Sequence, residues 1–416
     1  MISASVLSGF GLTDFLWVSG LCALVALLLL WPRSQRTQRI QCITFITIGL
    51  VCLAIAWSEG YDGIPIRQML TQNHLLISLL CAVSFLRLIT ETRATTRTTP
   101  QVGEKAFLQT VTGIHFFSSV INLSALIIFG DALSKDRKLG RTTATSLQRG
   151  FSLAALWSPF FAAMGTCLLY APGTRLPELW VLSVPLCLFG LVFTWAEHRF
   201  RSTGGLGTFE GYPVNFRALW VPSLMVVCVL GANSIFPEVS VLVLVSALSV
   251  LVTATVIAAR ESLSQAIATV RNFSYRRLPD MYGELILFFS TGIMATGISA
   301  LVAVTQPALN VVGFTPGIAI SLLAILLFLA VVGVHAIVSI VAASAIVAPL
   351  NPEPAVLALI FLVSWSVGAT GGPISGLNLA MQSRYGVTMR QCFTWNLRYT
   401  LSMFVGTSVI LLITLG

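Results

Sequence analysis

The chain has 416 residues, of which 56% are hydrophobic and 9% charged, and a net charge of +9. Ordinary soluble domains carry about 25% charged residues, so no stretch here is polar enough to form one. The basic residues are scattered over short connectors rather than gathered on a polar module, which argues against a nucleic-acid partner and for membrane orientation.

Apolar runs close to the roughly 20 residues that cross a hydrocarbon core recur along the chain. The first half is expected to hold spans near 12–31, 40–57, 74–90 and 107–130, an interrupted apolar segment at 151–171, and a span at 177–197. The run Phe10 to Trp31 has no basic residue before it and Arg33, Arg36 and Arg39 after it, so it reads as a retained span and not a cleaved signal. The second half is expected to hold spans near 216–234, 239–258, 284–304 and 317–347, an interrupted segment at 357–383, and a last span at 394–415.

The two halves resemble each other in detail. Gly113 to Ala125 lies over Gly333 to Ala345 at an offset of 220, with five of thirteen positions identical and His115 falling on His335. Ser152 to Pro159 lies over Ser366 to Pro373 at an offset of 214. The expected fold is therefore an all-α polytopic membrane protein of two repeats, 1–205 and 206–416. Each repeat has five transmembrane helices and a re-entrant hairpin or broken helix, about 145–171 in the first and 353–383 in the second. An odd number of spans per repeat makes the second insert upside down. Internal inverted repeats of this kind mark alternating-access transporters.

With the N-terminus outside, the connectors at 32–41, 87–106, 198–217, 259–283 and 384–398 face the cytoplasm and carry 17 of the 24 basic residues. The uncharged connector at 305–316 then lies outside. One loop conflicts: residues 131–150 hold Lys135, Arg137, Lys138, Arg141 and Arg149, yet this topology puts them outside.

Asp131, Glu178, Glu197, Asp280, Glu284 and Glu353 all fall at span ends or in loops, so a mechanism of paired intramembrane carboxylates is not expected. The eight cysteines form no CxxC or Cys/His ligand spacing and read as small hydrophobes. No cofactor or metal is expected. What the spans hold is hydroxyl and amide groups: Ser119, Asn122 and Ser124 in one half, Ser339 and Ser344 in the other, and Ser158, Thr166, Thr370, Ser375 and Asn378 at the breaks. Gly368, Gly371, Gly372, Pro373 and Gly376 prevent a regular helix in the second broken segment. A helix that stops at mid-membrane exposes N–H groups at one end and C=O groups at the other, which attract anions and cations respectively. The expected substrate site comprises Ser158, Pro159, Thr370, Gly372, Pro373, Ser375 and Asn378, lined by Ser119, Asn122, Ser339 and Ser344, with carbonyls left over for a coupling sodium ion. His115 and His335 are the candidates for a coupling proton; the alternative for each is a hydrogen bond tying its helix to the neighbouring hairpin. Arg87 and Arg398 are expected to snorkel to the interface.

The repeated broken elements, with Ser158-Pro159 and the Gly-Gly-Pro-Ile-Ser-Gly of 371–376, resemble the ion transporter superfamily of secondary permeases, which includes dicarboxylate, citrate, gluconate and arsenite carriers. The resemblance implies two inverted halves with hairpins, and a homodimer. The Ser-Asn-Thr hairpin-tip motif of the dicarboxylate branch is absent.

The function expected from these features is secondary active transport of a small organic anion across a bacterial inner membrane, coupled to protons or sodium, and not an enzymatic activity. The alternatives are an exporter of a neutral or toxic solute and a membrane-embedded polyprenol-linked glycan polymerase or ligase. Such an enzyme usually needs a long extramembrane segment, whereas connectors here run to about 25 residues, too short for a domain of their own.

Overall fold

A computed structural model describes residues 1–12, 14–90, 101–134, 138–201, 205–212, 220–305 and 313–416. Lys135 and Arg137 of the conflicting basic loop, and parts of the connectors expected at 87–106, 198–217 and 305–316, lie outside the described residues. Helix dominates because lipid offers no partner for free backbone groups, so each span must satisfy its own.

In chain order the helices are α1 (Ile2–Gly9), α2 (Leu16–Leu30), α3 (Arg36–Ser58), α4 (Ile66–Thr71), α5 (His74–Ser84), α6 (Arg87–Thr90), α7 (Glu104–Ile121), α8 (Leu123–Ser134), α9 (Arg141–Ala154) and α10 (Ala162–Tyr170). There follow α11 (Leu176–Arg201), α12 (Trp220–Ile235), α13 (Val241–Arg260), α14 (Leu263–Arg276), α15 (Tyr282–Thr305), α16 (Pro316–Val331), α17 (Ala336–Val347), α18 (Pro354–Gly371), α19 (Gly376–Tyr385) and α20 (Met389–Leu415). Among the described residues, eight segments are long and apolar enough to cross a membrane: Leu16–Arg33, Arg36–Ser58, Ile66–Thr90, Leu176–Arg201, Val241–Arg260, Leu263–Thr305, Pro354–Tyr385 and Met389–Leu415.

Two expected spans are broken. The segment expected at 107–130 stops at Asn122, which has φ of 48° and so cannot continue a right-handed helix. The segment expected at 317–347 is interrupted between α16 and α17, where Gly333 has φ of 97°. The basic stretch expected as a loop at 131–150 is largely helix: Arg141 and Arg149 belong to α9, whose residues from Ala144 onward are buried. Apolar neighbours spaced for a helix override the charge there.

The chain divides into two compact units that do not coincide with the sequence halves. One comprises 1–92, 223–312 and 341–349, the other 93–222, 313–340 and 350–416, so each draws on both halves.

In the first unit α3 lies along α15 with Gly49 and Gly297 backbone to backbone; a side-chain carbon at either would meet the opposing main chain. Asn73 donates to the Phe288 carbonyl at 2.8 Å, and Ser5 bonds both Ser19 and Ser78 at 2.8 Å, so polar groups in this apolar layer are answered by one another. The helix α14 carries Arg271 and Arg276 and exposes Leu263, Ile267 and Tyr275.

The second unit contains one series of elements twice, except that α17 of the second run belongs to the first unit from Val341 onward. Helices begin at residues 104, 123, 141, 162 and 176, and again at 316, 336, 354, 376 and 389, a displacement of 212 to 214 throughout. The packing repeats with the order: α7 lies on α9 as α16 lies on α18, α9 on α11 as α18 on α20, and α10 on α18 as α19 on α9. At one end the strands β1 (Gln101–Val102) and β2 (Glu210–Gly211) pair antiparallel, and Leu206 and Phe209 close over Ala106, Phe107 and Val111.

Candidate functional site

Both interrupted helices of the second unit are held open by side chains. In the first, α9 ends at Ala154 and the chain turns through Pro159, which has no N–H to offer a helix. Ser158 donates to the Ser119 carbonyl and accepts the Phe160 N–H at 3.2 Å, while Asn122 donates to the Phe160 carbonyl at 3.3 Å. The break at Asn122 is thereby stitched to the break at Ser158-Pro159.

In the second, α18 stops at Gly371 and α19 starts at Gly376 with Ser375 as its cap, accepting the Asn378 N–H at 3.1 Å. The carbonyls that α18 leaves without helical partners are answered from α19. Ser375 donates to Ala369 at 2.6 Å, Asn378 to Thr370 and Gly372 at 2.9 Å each, and Gln382 to Pro373 at 3.0 Å. Gly372 is pressed against α16: a Cβ there would lie 2.6 Å from the Ala330 carbonyl oxygen and 2.7 Å from that of Gly368. The two interrupted helices meet where the Ser366 hydroxyl donates to the Ser152 carbonyl at 2.7 Å.

The expected site residues therefore have definite stations. Ser158, Pro159, Ser119 and Asn122 gather at the first break, and Thr370, Gly372, Pro373, Ser375 and Asn378 at the second. Ser119 and Thr370 spend their hydroxyl protons on their own helices, on Phe116 at 2.7 Å and Val367 at 2.8 Å. Ser339 is buried, its hydroxyl without a partner among the described residues. Ser344 belongs to the other unit. At the second break the carbonyls of Ala369, Thr370, Gly372 and Pro373 each receive a side-chain donor.

The histidines do not occupy equivalent places. His115 lies inside α7, seven residues before the break at Asn122, whereas His335 lies in the α16–α17 break itself. The 220-residue alignment is thus out of step with the constant spacing of the elements. His115 holds Gly150 through Nδ1 at 3.1 Å and accepts the Trp157 indole N–H through Nε2 at 2.9 Å. Since an indole nitrogen only donates, the ring is neutral with its proton on Nδ1, tying α7 to the neighbouring broken helix. His335 accepts the Ile337 N–H at 3.3 Å and meets Trp365 edge to face at 5.5 Å. Arg398 is exposed.

A buried charged cluster was not anticipated. Arg149, with 0% exposure, pairs through Nη1 with Glu197 Oε2 at 2.6 Å. It also donates to Asn396 Oδ1 at 2.9 Å and the Trp395 carbonyl at 3.0 Å, and lies over the Tyr399 ring at 4.8 Å. Glu197, expected at a span end and thus in water, is 8% exposed. The signal available in sequence was the conflict itself: five basic residues on the wrong side of the membrane imply that some are not in a loop. Further along, Asn396 Nδ2 donates to Gln148 Oε1 at 3.0 Å, and Gln148 Nε2 to Asn378 Oδ1 at 2.5 Å. Nearby, Arg384 clasps Asp131 through two bonds of 2.8 and 2.7 Å, fixing α19 to α8. No group of three His, Cys, Asp or Glu side chains placed to hold a metal occurs among the described residues.

The described helices and their composition define a polytopic helical membrane protein. No family model matches the chain, and no curated protein matches it in sequence. Among solved structures, it is similar to the crystal structure of the Alcanivorax borkumensis YdaH transporter, with a TM-score of 0.49 and 13% identity over 90% of this chain and 97% of that one.

Proposed function

We propose that the chain is a secondary active transporter of a bacterial inner membrane, built on two inverted repeats and moving a small organic anion by alternating access with protons or sodium as the coupling ion. The observation that supports this reading is the meeting of two interrupted helices, one from each series, at Ser152 and Ser366. Interrupted helices are costly in lipid and are tolerated where they are packed in protein or border a wet cavity. The N-terminal turns of α10 and α19 follow the two breaks. α10 has no side-chain cap, so its first backbone donors are available to an anion; at α19 Ser375 takes the Asn378 N–H, and nothing lies within 4 Å of a Cβ placed at Gly376 beside it. Ser158, Pro159, Thr370, Gly372, Pro373 and Ser375 form the walls of that site, with Asn378 holding the second break in shape.

The test is the melting temperature of the purified protein against a panel of organic and inorganic anions, with sodium or potassium, at two pH values. A ligand of the native state must stabilise it. An anion whose shift depends on sodium or pH, and which is then accumulated by proteoliposomes under the matching gradient, is the expected result. A shift with only neutral solutes or polyprenyl phosphate would overturn the reading.

A further inference from the structure

The lengths of its neighbours place α14 at a membrane surface. α13 has 20 residues and at the helical rise reaches about 30 Å, the thickness of the hydrocarbon core. α15 has 24 residues and reaches about 36 Å on its own. Leu263–Thr305 is therefore more than one span, and α14 lies where α13 leaves the core.

The two sides of α14 differ. Ser262 caps the helix by accepting the Gln265 N–H at 3.1 Å, and Ala266 and Phe273 are buried, Phe273 against Phe85 with ring centroids 4.9 Å apart. On another side Leu263, Ile267, Arg271 and Tyr275 follow one another at intervals of four and so form a single row. That row is open: Leu263, Ile267 and Tyr275 are 69%, 61% and 74% exposed, and Arg271 is exposed with them. The Arg271 guanidinium stands over the Tyr275 ring at 5.9 Å.

No Asp or Glu occurs from Leu263 to Arg277, a stretch that holds Arg271, Arg276 and Arg277; Glu261 and Asp280 stand outside its two ends. None of the three arginines has an ion pair among the described residues. Arg276, in the last turn, complements the helix dipole. Arg271 stands more than a turn earlier, and the dipole gives no reason for two exposed aliphatic side chains in its row.

We propose that this row of α14 is a binding site for an anionic phospholipid of the surrounding bilayer. Arg271 takes the headgroup phosphate through its paired N–H donors, with the Tyr275 ring beside it at the level of the headgroups. Leu263 and Ile267 take the upper part of an acyl chain. Arg276 and Arg277 add attraction to an acidic surface. An aliphatic stripe leading to an arginine matches a molecule with a hydrocarbon tail and a charged head, and a free anion would use only half of it. The site goes beyond the transporter reading and does not depend on it.

The test uses purified full-length protein in dodecyl maltoside, titrated with dioleoylphosphatidylglycerol or dioleoylphosphatidylcholine, with bound lipid per chain counted by native mass spectrometry. Phosphatidylglycerol is expected to bind more tightly, with an advantage that falls as salt is added. Arg271→Gln should weaken it about fivefold, the scale of one arginine near an acidic surface, and adding Arg276→Gln and Arg277→Gln should remove the preference. All three side chains are exposed, so these variants are expected to fold. Arg33→Gln with Arg36→Gln and Arg390→Gln removes equal charge from other exposed positions and should keep most of the preference. Leu263→Ser with Ile267→Ser should weaken phosphatidylglycerol binding with every arginine in place, and glycerol phosphate, the head without the tail, should not displace the lipid. Equal binding of the two lipids, a preference unchanged in the triple α14 variant, an equal loss in the Arg33, Arg36 and Arg390 variant, or displacement by glycerol phosphate overturns the proposal. No transported solute enters the measurement, so failure of the transporter reading would appear separately, as absence of uptake.

Discussion

Ser366 donates its hydroxyl proton to the backbone carbonyl of Ser152, and these two residues are each other's counterparts, 214 positions apart. This bond joins the two series of elements directly. The Ser152 carbonyl also receives the Ala155 N–H at 3.1 Å, so it is not orphaned when the hydroxyl is lost. Ser366→Ala is accordingly expected to cost about 1 kcal/mol, the net worth of one bond. A denaturation series in detergent checks this, and a loss of several times that amount would mean that the contact organises more than itself.

The turn at Gly372 admits no side chain. With Ala330 and Gly368 carbonyl oxygens 2.6 and 2.7 Å from a Cβ, both backbone atoms of packed helices, Gly372→Ala must push α16 from the break. The expected loss is about 1–3 kcal/mol, as for other overpacked sites. Gly376→Ala, four residues on in open space, is the control and should leave the melting temperature nearly unchanged. Equal effects of the two would show that flexibility, not close approach, is what glycine supplies here.

Most spans were legible because their apolar runs are long, and the broken helices because Pro159 and the Gly371-Gly372-Pro373 cluster forbid a regular helix. The breaks at Asn122 and Gly333 were missed because neither interrupts hydropathy; only a backbone angle does. The burial of Arg149 and Glu197 escaped for a related reason. Each charge, read alone, belongs at an interface, and what permits burial is a partner 48 residues away, which composition does not reveal. His115 and His335 stood out by matching in sequence, yet the spacing of the surrounding elements places them differently.

Asn378 and Ser375 both stand at the second break but do different amounts of work. Ser375→Ala removes a helix cap, a change worth about 1 kcal/mol. Asn378→Leu strips a donor from the Thr370 carbonyl and an acceptor from Gln148, both buried, while the Gly372 carbonyl keeps the Ser375 N–H at 3.1 Å. Each buried group left unmet costs about 1–3 kcal/mol, so this loss should exceed that of Ser375→Ala severalfold. Comparing the unfolding midpoints of the two variants checks the order, and the reverse order would mean that water replaces the Asn378 amide.

Arg149 offers the sharpest contrast between single and paired changes. Glu197→Ile alone leaves a guanidinium with 0% exposure and no anion, and removing one partner of a buried pair costs about 3–5 kcal/mol. Arg149→Val alone strands Glu197 in the same way, although Arg141, 3.9 Å from its other oxygen, lessens that penalty. Arg149→Val with Glu197→Ile leaves neither charge buried alone, so its unfolding midpoint should lie above those of both single variants. A double variant no more stable than the worse single one would mean that the bonds of Arg149 to Asn396 and the Trp395 carbonyl, and not its charge pairing, hold α9 against α20.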